Sequence, residues 1–249
     1  MLSAGALVGG VSSAAPESIS SLSENDWFEW RQLLYYNSPA FFERSWVDTP
    51  AFFLGRNGAT DFEAEIIADL EALKQPLTVK NEHFRCQFPA RARWLTQRFA
   101  LPNIPLATWR EGCPTLSRWF EIHDYSGASL VFSSYYPGNP ASLFGHTLLR
   151  LKRRAAGADL LDDATNYAAL VDSKDLGLTY AVAGLTGGYL GGFALVRYYE
   201  MLEQYANIES RDLWEYELDL NPEEVVMLRF RLYETLAARF RYRFLEGNC

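Results

Sequence analysis

Ser133-Ser-Tyr-Tyr-Pro-Gly-Asn-Pro-Ala-Ser-Leu-Phe-Gly-His146-Thr-Leu-Leu-Arg150 is the stretch on which the fold of this sequence turns. Its first residues end a β-rich run, Leu130 to Tyr136, which stops at Pro137-Gly138-Asn139-Pro140, a turn signal. A second strand restarts at His146 and reaches Leu151, and Thr165 to Val171 reads as a third. The glycine-dense segment Gly184 to Phe193 lacks the strand–GxGxxG–helix setting of a dinucleotide site. It reads instead as a loop of tight turns against a neighbouring element. Arg211 to Leu220 alternates, with Trp214, Tyr216, Leu218 and Leu220 on one side and Glu215, Glu217 and Asp219 on the other. That pattern predicts a half-buried strand with Trp214 in the core. Asn221-Pro-Glu-Glu224 then supplies an N-cap, a first-turn proline and first-turn acids, a strong helix start, with the helix running to about Arg239. Tyr242 to Leu245 reads as a last short strand before Asn248-Cys249.

Upstream, residues 20–115 read as mostly helical. Ser21 or Ser23 can cap a helix carrying Trp27, Trp30, Leu33 and Leu34. Thr60-x-x-Glu63 has the form of a capping box and opens a helix with Phe62, Ile66, Leu70 and Leu73 at helical spacing. Pro89 starts another helix, which holds Trp94 and Leu95 and ends before Pro102. Helices followed by short strands predict an α+β chain, with a helical region over 20–115 and a sheet-bearing region over 120–249.

The sequence has 249 residues, 49% of them apolar, and a formal net charge of −8, so it can bury a sizeable core. No Lys/Arg-rich run is present, which argues against a nucleic-acid partner. Residues 1–15 are rich in Ala, Gly, Leu and Ser and read as the remnant of a secretory signal, although the positive leading segment is missing. No later stretch approaches the roughly 18–20 apolar residues that a membrane span needs. The expectation is an exported, periplasmic protein. The ending at Gly247-Asn248-Cys249 reads as a fragment of a longer chain.

The three cysteines are Cys86, Cys113 and Cys249. In an exported protein an odd count points to one disulfide and one free thiol. Either Cys86 and Cys113 pair, leaving Cys249 free, or both are buried thiols. The three histidines, His83, His123 and His146, form no HExxH or other metal-ligand spacing, and no GxSxG elbow or P-loop occurs. No metal or cofactor is expected. His83 and His123 read as structurally satisfied side chains. His146 stands at a strand start after a glycine, where its ring is either bonded to backbone or presented for chemistry. A thiol becomes a nucleophile as thiolate, when an imidazole takes its proton. Cys249 is the candidate nucleophile, His146 the candidate base, and Asn166, on the next strand, the candidate that holds the imidazole tautomer. Tyr135-Tyr136, Tyr189 and Tyr198-Tyr199 are candidates for an acyl groove, with core packing as the alternative. Arg150 and Arg211 read as partners of a phosphate or of structural carboxylates.

Several of these segments together resemble the Lnb N-terminal periplasmic domain family. They are Phe144-Gly-His-Thr-Leu-Leu-Arg150, Asn166-Tyr167-Ala168, Gly184 to Phe193, Arg211-Asp-Leu-Trp-Glu-Tyr216, Asn248-Cys249, and Cys86-Gln-Phe-Pro-Ala-Arg91 with Trp94-Leu95. The resemblance covers about residues 24–249. It implies a permuted papain-like, NlpC-like fold, a small antiparallel sheet packed with helices, in which the histidine precedes the cysteine. It also implies a lipoprotein N-acyltransferase activity near a membrane: a thioester forms on Cys249 from a phospholipid or other acyl donor, and the acyl group passes to a lipoprotein N-terminal amine. A cysteine hydrolase of cell-wall peptide or amide bonds and a non-catalytic envelope interaction domain are the alternatives. The family continues past its Asn-Cys with a helix. Ending at Cys249 places an α-carboxylate beside the thiol and removes that helix, so the chain as given is expected to be inactive.

Overall fold

A computed structural model describes residues 18–36, 43–102, 106–138, 145–154, 159–171 and 178–242. The signal segment 1–15, the turn residues Asn139 and Pro140, and residues 243–249 with Cys249 lie outside the described residues.

Local chemistry sets the helix starts. Ser23 caps α1 (Glu24–Leu33): its hydroxyl accepts from the Asp26 N–H, and the Asp26 carboxylate accepts from the Ser23 N–H at 2.7 Å. α2 (Phe62–Leu73) starts one residue later than the Thr60 motif predicts. Asp61 is the cap, accepting from Ala64 N–H at 2.9 Å, while the Thr60 hydroxyl turns back to Asn57 O. A carboxylate beside the positive end of a helix is the stronger cap, and it displaces the hydroxyl. α3 (Phe84–Gln87) leads into α4 (Pro89–Arg98), opened by Pro89 as expected. α5 (Leu106–Gly112) and α6 (Pro114–Ile122) complete the N-terminal helical region. The Cys86–Cys113 disulfide joins α3 to the start of α6, settling the question left open by the cysteine count.

The second half builds one antiparallel sheet. Its strands are β1 (Tyr125–Ser133), β2 (His146–Arg153), β3 (Asp163–Leu170), β4 (Tyr189–Arg197), β5 (Leu213–Glu217) and β6 (Arg239–Tyr242), in the order β5-β1-β2-β3-β4-β6. α7 (Leu178–Thr186) precedes β4, α8 (Tyr198–Leu202) continues as a π-helical turn over Glu203–Ile208, and α9 (Pro222–Ala237) links β5 to β6. Asn221 caps α9 as expected, accepting from the Glu223 and Glu224 N–H groups while Glu224 reaches back to Asn221 N–H at 2.8 Å.

Both sheet faces are packed over part of their area. On one, Val131, Leu148 and Ala164 meet Tyr198 and Tyr205 from α8 and the π-helical turn. On the other, Ala128 and Leu151 meet Val225 and Leu232 of α9. Further along that side, Tyr167, Tyr189 and Phe240 share a core with Trp30, Ile66 and Leu95. The helical region and the sheet are therefore joined by apolar burial, the main source of stability in such packing.

Two further expectations are corrected. The segment Gly184 to Phe193 is not a loop: it is the end of α7, a turn at Gly187 with φ 82°, and the first half of β4. Glycine is needed inside that strand because a Cβ on Gly191 would lie 2.2 Å from the Tyr167 hydroxyl oxygen, so a side chain there would displace a core ring. The inward face of β5 is also reversed at its start. Trp214 is 45% exposed and Tyr216 59% exposed, whereas Glu215 turns toward Ser129, Arg150 and Tyr198. β5 is an edge strand, and α9 covers Leu218 and Leu220 but leaves the tryptophan overhanging, stacked on Phe132 at 5.9 Å.

An ionic cluster locks α2, α4 and α9 together. Arg91, fully buried, donates to Glu65 at 3.0 Å, Asp69 at 2.9 Å and Phe52 O at 2.7 Å. Glu234 of α9 accepts from the Ala90 and Arg91 N–H groups at 2.7 and 3.2 Å. Burial holds the Asp69 carboxyl well above the usual carboxylate range against the lowering effect of Arg91, and burial likewise raises Glu234.

Candidate functional site

The Gly145-His146 pair is placed by backbone necessity. Gly145 has φ 99°, and a Cβ there would lie 2.7 Å from Ser133 O and 2.8 Å from the Phe132 ring. Only glycine lets the chain enter β2 this close to β1. His146 follows as the first residue of β2, paired with Ser133, whose hydroxyl donates to His146 O at 3.3 Å. The imidazole lies under the π-helical turn, with the Tyr205 ring centred 5.8 Å away. It is 6% exposed, and its Nε2 is buried with no hydrogen-bond partner among the described residues.

The neighbours of this ring set its charge. Arg211, just beyond the π-helical turn, is fastened at Nε to Ser134 O at 2.6 Å and through a terminal nitrogen to Glu209 at 2.9 Å, and it lies over the Tyr205 ring at 4.8 Å. Burial, then the Arg211 charge, lower the His146 pKa to about 4, against smaller opposing effects of a polar contact with the Asn166 side chain and of Glu209. The imidazole is therefore neutral at neutral pH, with a nitrogen that can accept a proton.

Asn166 and His146 are thus brought together, on the same face of adjacent strands. Cys249, the third residue of the expected constellation, lies outside the described residues. Beyond Asn166 the same sheet face carries Ala168, Leu170, Leu190 and Ala194, which are exposed and apolar.

The other candidates resolve plainly. His83 caps α3, its Nδ1 accepting from Arg85 N–H at 3.1 Å and its Nε2 lying 2.8 Å from Gln75 O. His123 lies 2.9 Å from the Tyr125 hydroxyl and 3.2 Å from Asp163. Arg150 is held by Asp162 at 2.8 Å and Glu215 at 3.0 Å, so it and Arg211 are structural ion-pair partners. Tyr189 and Tyr198 are core residues, whereas Tyr135 and Tyr199 are exposed. Tyr205 escaped the sequence reading: a π-helical turn has no local signature, although such turns recur at functional sites. Among the described residues no cluster of three His, Cys, Asp or Glu side chains is arranged to hold a metal ion.

Fold and site together define an α+β protein that holds a buried, uncharged imidazole beneath a helical cover at the start of a sheet strand. The chain belongs to the Lnb N-terminal periplasmic domain family, whose model matches residues 115–249. A second family model, a domain of unknown function (DUF7843), matches residues 21–98. No curated protein and no solved structure matches the chain. Membership in a family of periplasmic domains agrees with the expected export, as does a disulfide. No helix among the described residues is long and apolar enough to cross a membrane.

Proposed function

We propose that this chain is the acyl-transferring part of a periplasmic cysteine enzyme. The Cys249 thiol gives its proton to His146 Nε2 and attacks the carbonyl carbon of an acyl ester, such as that of a phospholipid. His146 returns the proton to the departing alkoxide, leaving a thioester on Cys249. An amine, by family resemblance the N-terminus of a lipoprotein, then attacks the thioester. Its proton passes by way of His146 to the departing thiolate, so an amide forms and the free thiol is restored. Asn166 orients the imidazole, and Arg211 keeps it neutral between transfers.

The observation that carries this reading is the orphan Nε2 of His146. A buried acceptor without a partner is costly in an ordinary core and is what a general base requires. The exposed apolar face beside Asn166 favours an acyl chain over a polar cell-wall peptide as the group handled there.

Intact-protein mass spectrometry of the full-length protein with a short-chain activated ester tests it. One acyl adduct should map to Cys249, vanish in His146→Ala with the circular dichroism spectrum unchanged, and discharge to an added amine peptide as an amide. Retained labelling in His146→Ala would refute the dyad. Discharge to water as fast as to the peptide would make the protein a hydrolase. A folded protein that never captures the acyl group would be an interaction domain.

A further inference from the structure

We propose that an open cleft between α5, α6 and α9 binds a single-chain amphiphile by its carboxylate head. The cleft shares no lining residue with the His146 site and has a volume of about 370 Å³, within the range of small-molecule sites. Its apolar walls are Trp109, Phe120, Val226 and Phe230. The three aromatic rings among them pack on the cluster formed by Cys86, Cys113 and Leu116, so the covalent cross-link stiffens the cleft from beneath.

Two of the polar lining residues, Ser117 and Arg229, each carry a buried hydrogen-bonding atom without a partner among the described residues: the Ser117 hydroxyl and Arg229 Nε. Arg229 is 8% exposed. Its two terminal nitrogens are occupied, one donating to Phe120 O and the other 3.6 Å from Asp124. A guanidinium this deeply buried, with one donor unmet, lacks an acceptor that the described residues do not supply. Water would satisfy that donor but would leave the aromatic walls wet. A ligand that brings both an acceptor and an apolar body satisfies both.

Charge selects the head group. Arg110 and Glu121 border the cleft, while Asp124, outside its lining, is shared by Arg229 and the mostly exposed Arg154. Among the lining residues two guanidinium groups, Arg110 and Arg229, thus face one carboxylate, Glu121, a surplus of one positive charge that suits a monoanion. A carboxylate has two oxygens for the two orphan donors and one charge, whereas a phosphate ester approaching two charges exceeds the surplus. The ligand is a fatty carboxylate, its chain lying along the Trp109, Phe120 and Phe230 rings.

Titration calorimetry of the oxidised protein with dodecanoate, below its micelle concentration, tests this. Saturable one-to-one binding is expected. The methyl ester of the same acid, which has lost the charge, should bind on the order of 10-fold more weakly, as should Ser117→Ala with dodecanoate. Val226→Trp, which fills the cleft, should abolish binding. Arg229→Met should weaken it further if that variant folds; the ester and Ser117→Ala decide the matter if it does not. Equal affinity for acid and ester, unaltered binding by Val226→Trp, tighter binding of dodecyl phosphate, or no saturable binding would each overturn the proposal.

Discussion

Replacing His146 by Gln removes a titrating group from a buried position, and the effect on stability is set by pH. The ordinary imidazole of the unfolded chain titrates at 6.5, and burial together with Arg211 lowers the folded value to about 4. Between those limits the unfolded chain binds a proton that the folded protein refuses, so stability falls as the pH falls. The gap from 6.5 to about 4, at about 1.4 kcal/mol per pH unit, comes to about 3 kcal/mol lost below pH 4. Asp69 and Glu234, whose folded values are raised, act in the opposite sense, but they are common to both proteins. The measurement is therefore a difference. Urea unfolding of the native protein and of His146→Gln is compared at pH 7 and at pH 4, and the native protein should lose about 3 kcal/mol more than the variant. An NMR titration of the His146 ring should place its midpoint near 4. If the stability difference between the two proteins is the same at both pH values, the imidazole is not held neutral by its surroundings and its assignment as a poised base falls with it.

Arg91→Met leaves Glu65 and Asp69 buried without their cation and should cost about 3–5 kcal/mol in denaturant unfolding at pH 7. The loss should shrink in acid as the carboxylates take up protons, and a constant loss would show that charge is not its cause. Replacing both Cys86 and Cys113 by Ala opens a cross-link spanning 27 residues and should cost about 3–4 kcal/mol by the chain-entropy relation, read from the same titration. Trp214→Ala, on the exposed side of the edge strand, should cost no more than about 1 kcal/mol, most of it the ring contact with Phe132. A loss of several kcal/mol would mean that the tryptophan is covered in solution.

The elements that local chemistry dictates were legible in the sequence. Asn221 with Pro222 and two first-turn acids announces α9 without help from the rest of the chain, and Ser23 and Pro89 do the same for α1 and α4. Elements defined by their neighbours were not. Gly191 looks like a turn former because glycine is a turn residue in isolation, and only the Tyr167 ring across the strand shows why it lies in a sheet. Trp214 looks like core because it alternates with acids, yet alternation cannot say which face of an edge strand the rest of the protein reaches. The same division holds at the site. His146 and Asn166 were readable as residues on consecutive strands. Tyr205 and the anchoring of Arg211 depend on a π-helical turn that only tertiary packing creates.

The partnership of Glu234 with Ala90 and Arg91 spans more than half of the chain. Phe88, which precedes α4, has no side-chain oxygen, so the free N–H groups of that helix start are met by a carboxylate from α9 instead of by a local cap. A helix whose first turn is finished by a residue 144 positions later is complete only in the whole fold, which ties the first helices and α9 into one cooperative unit.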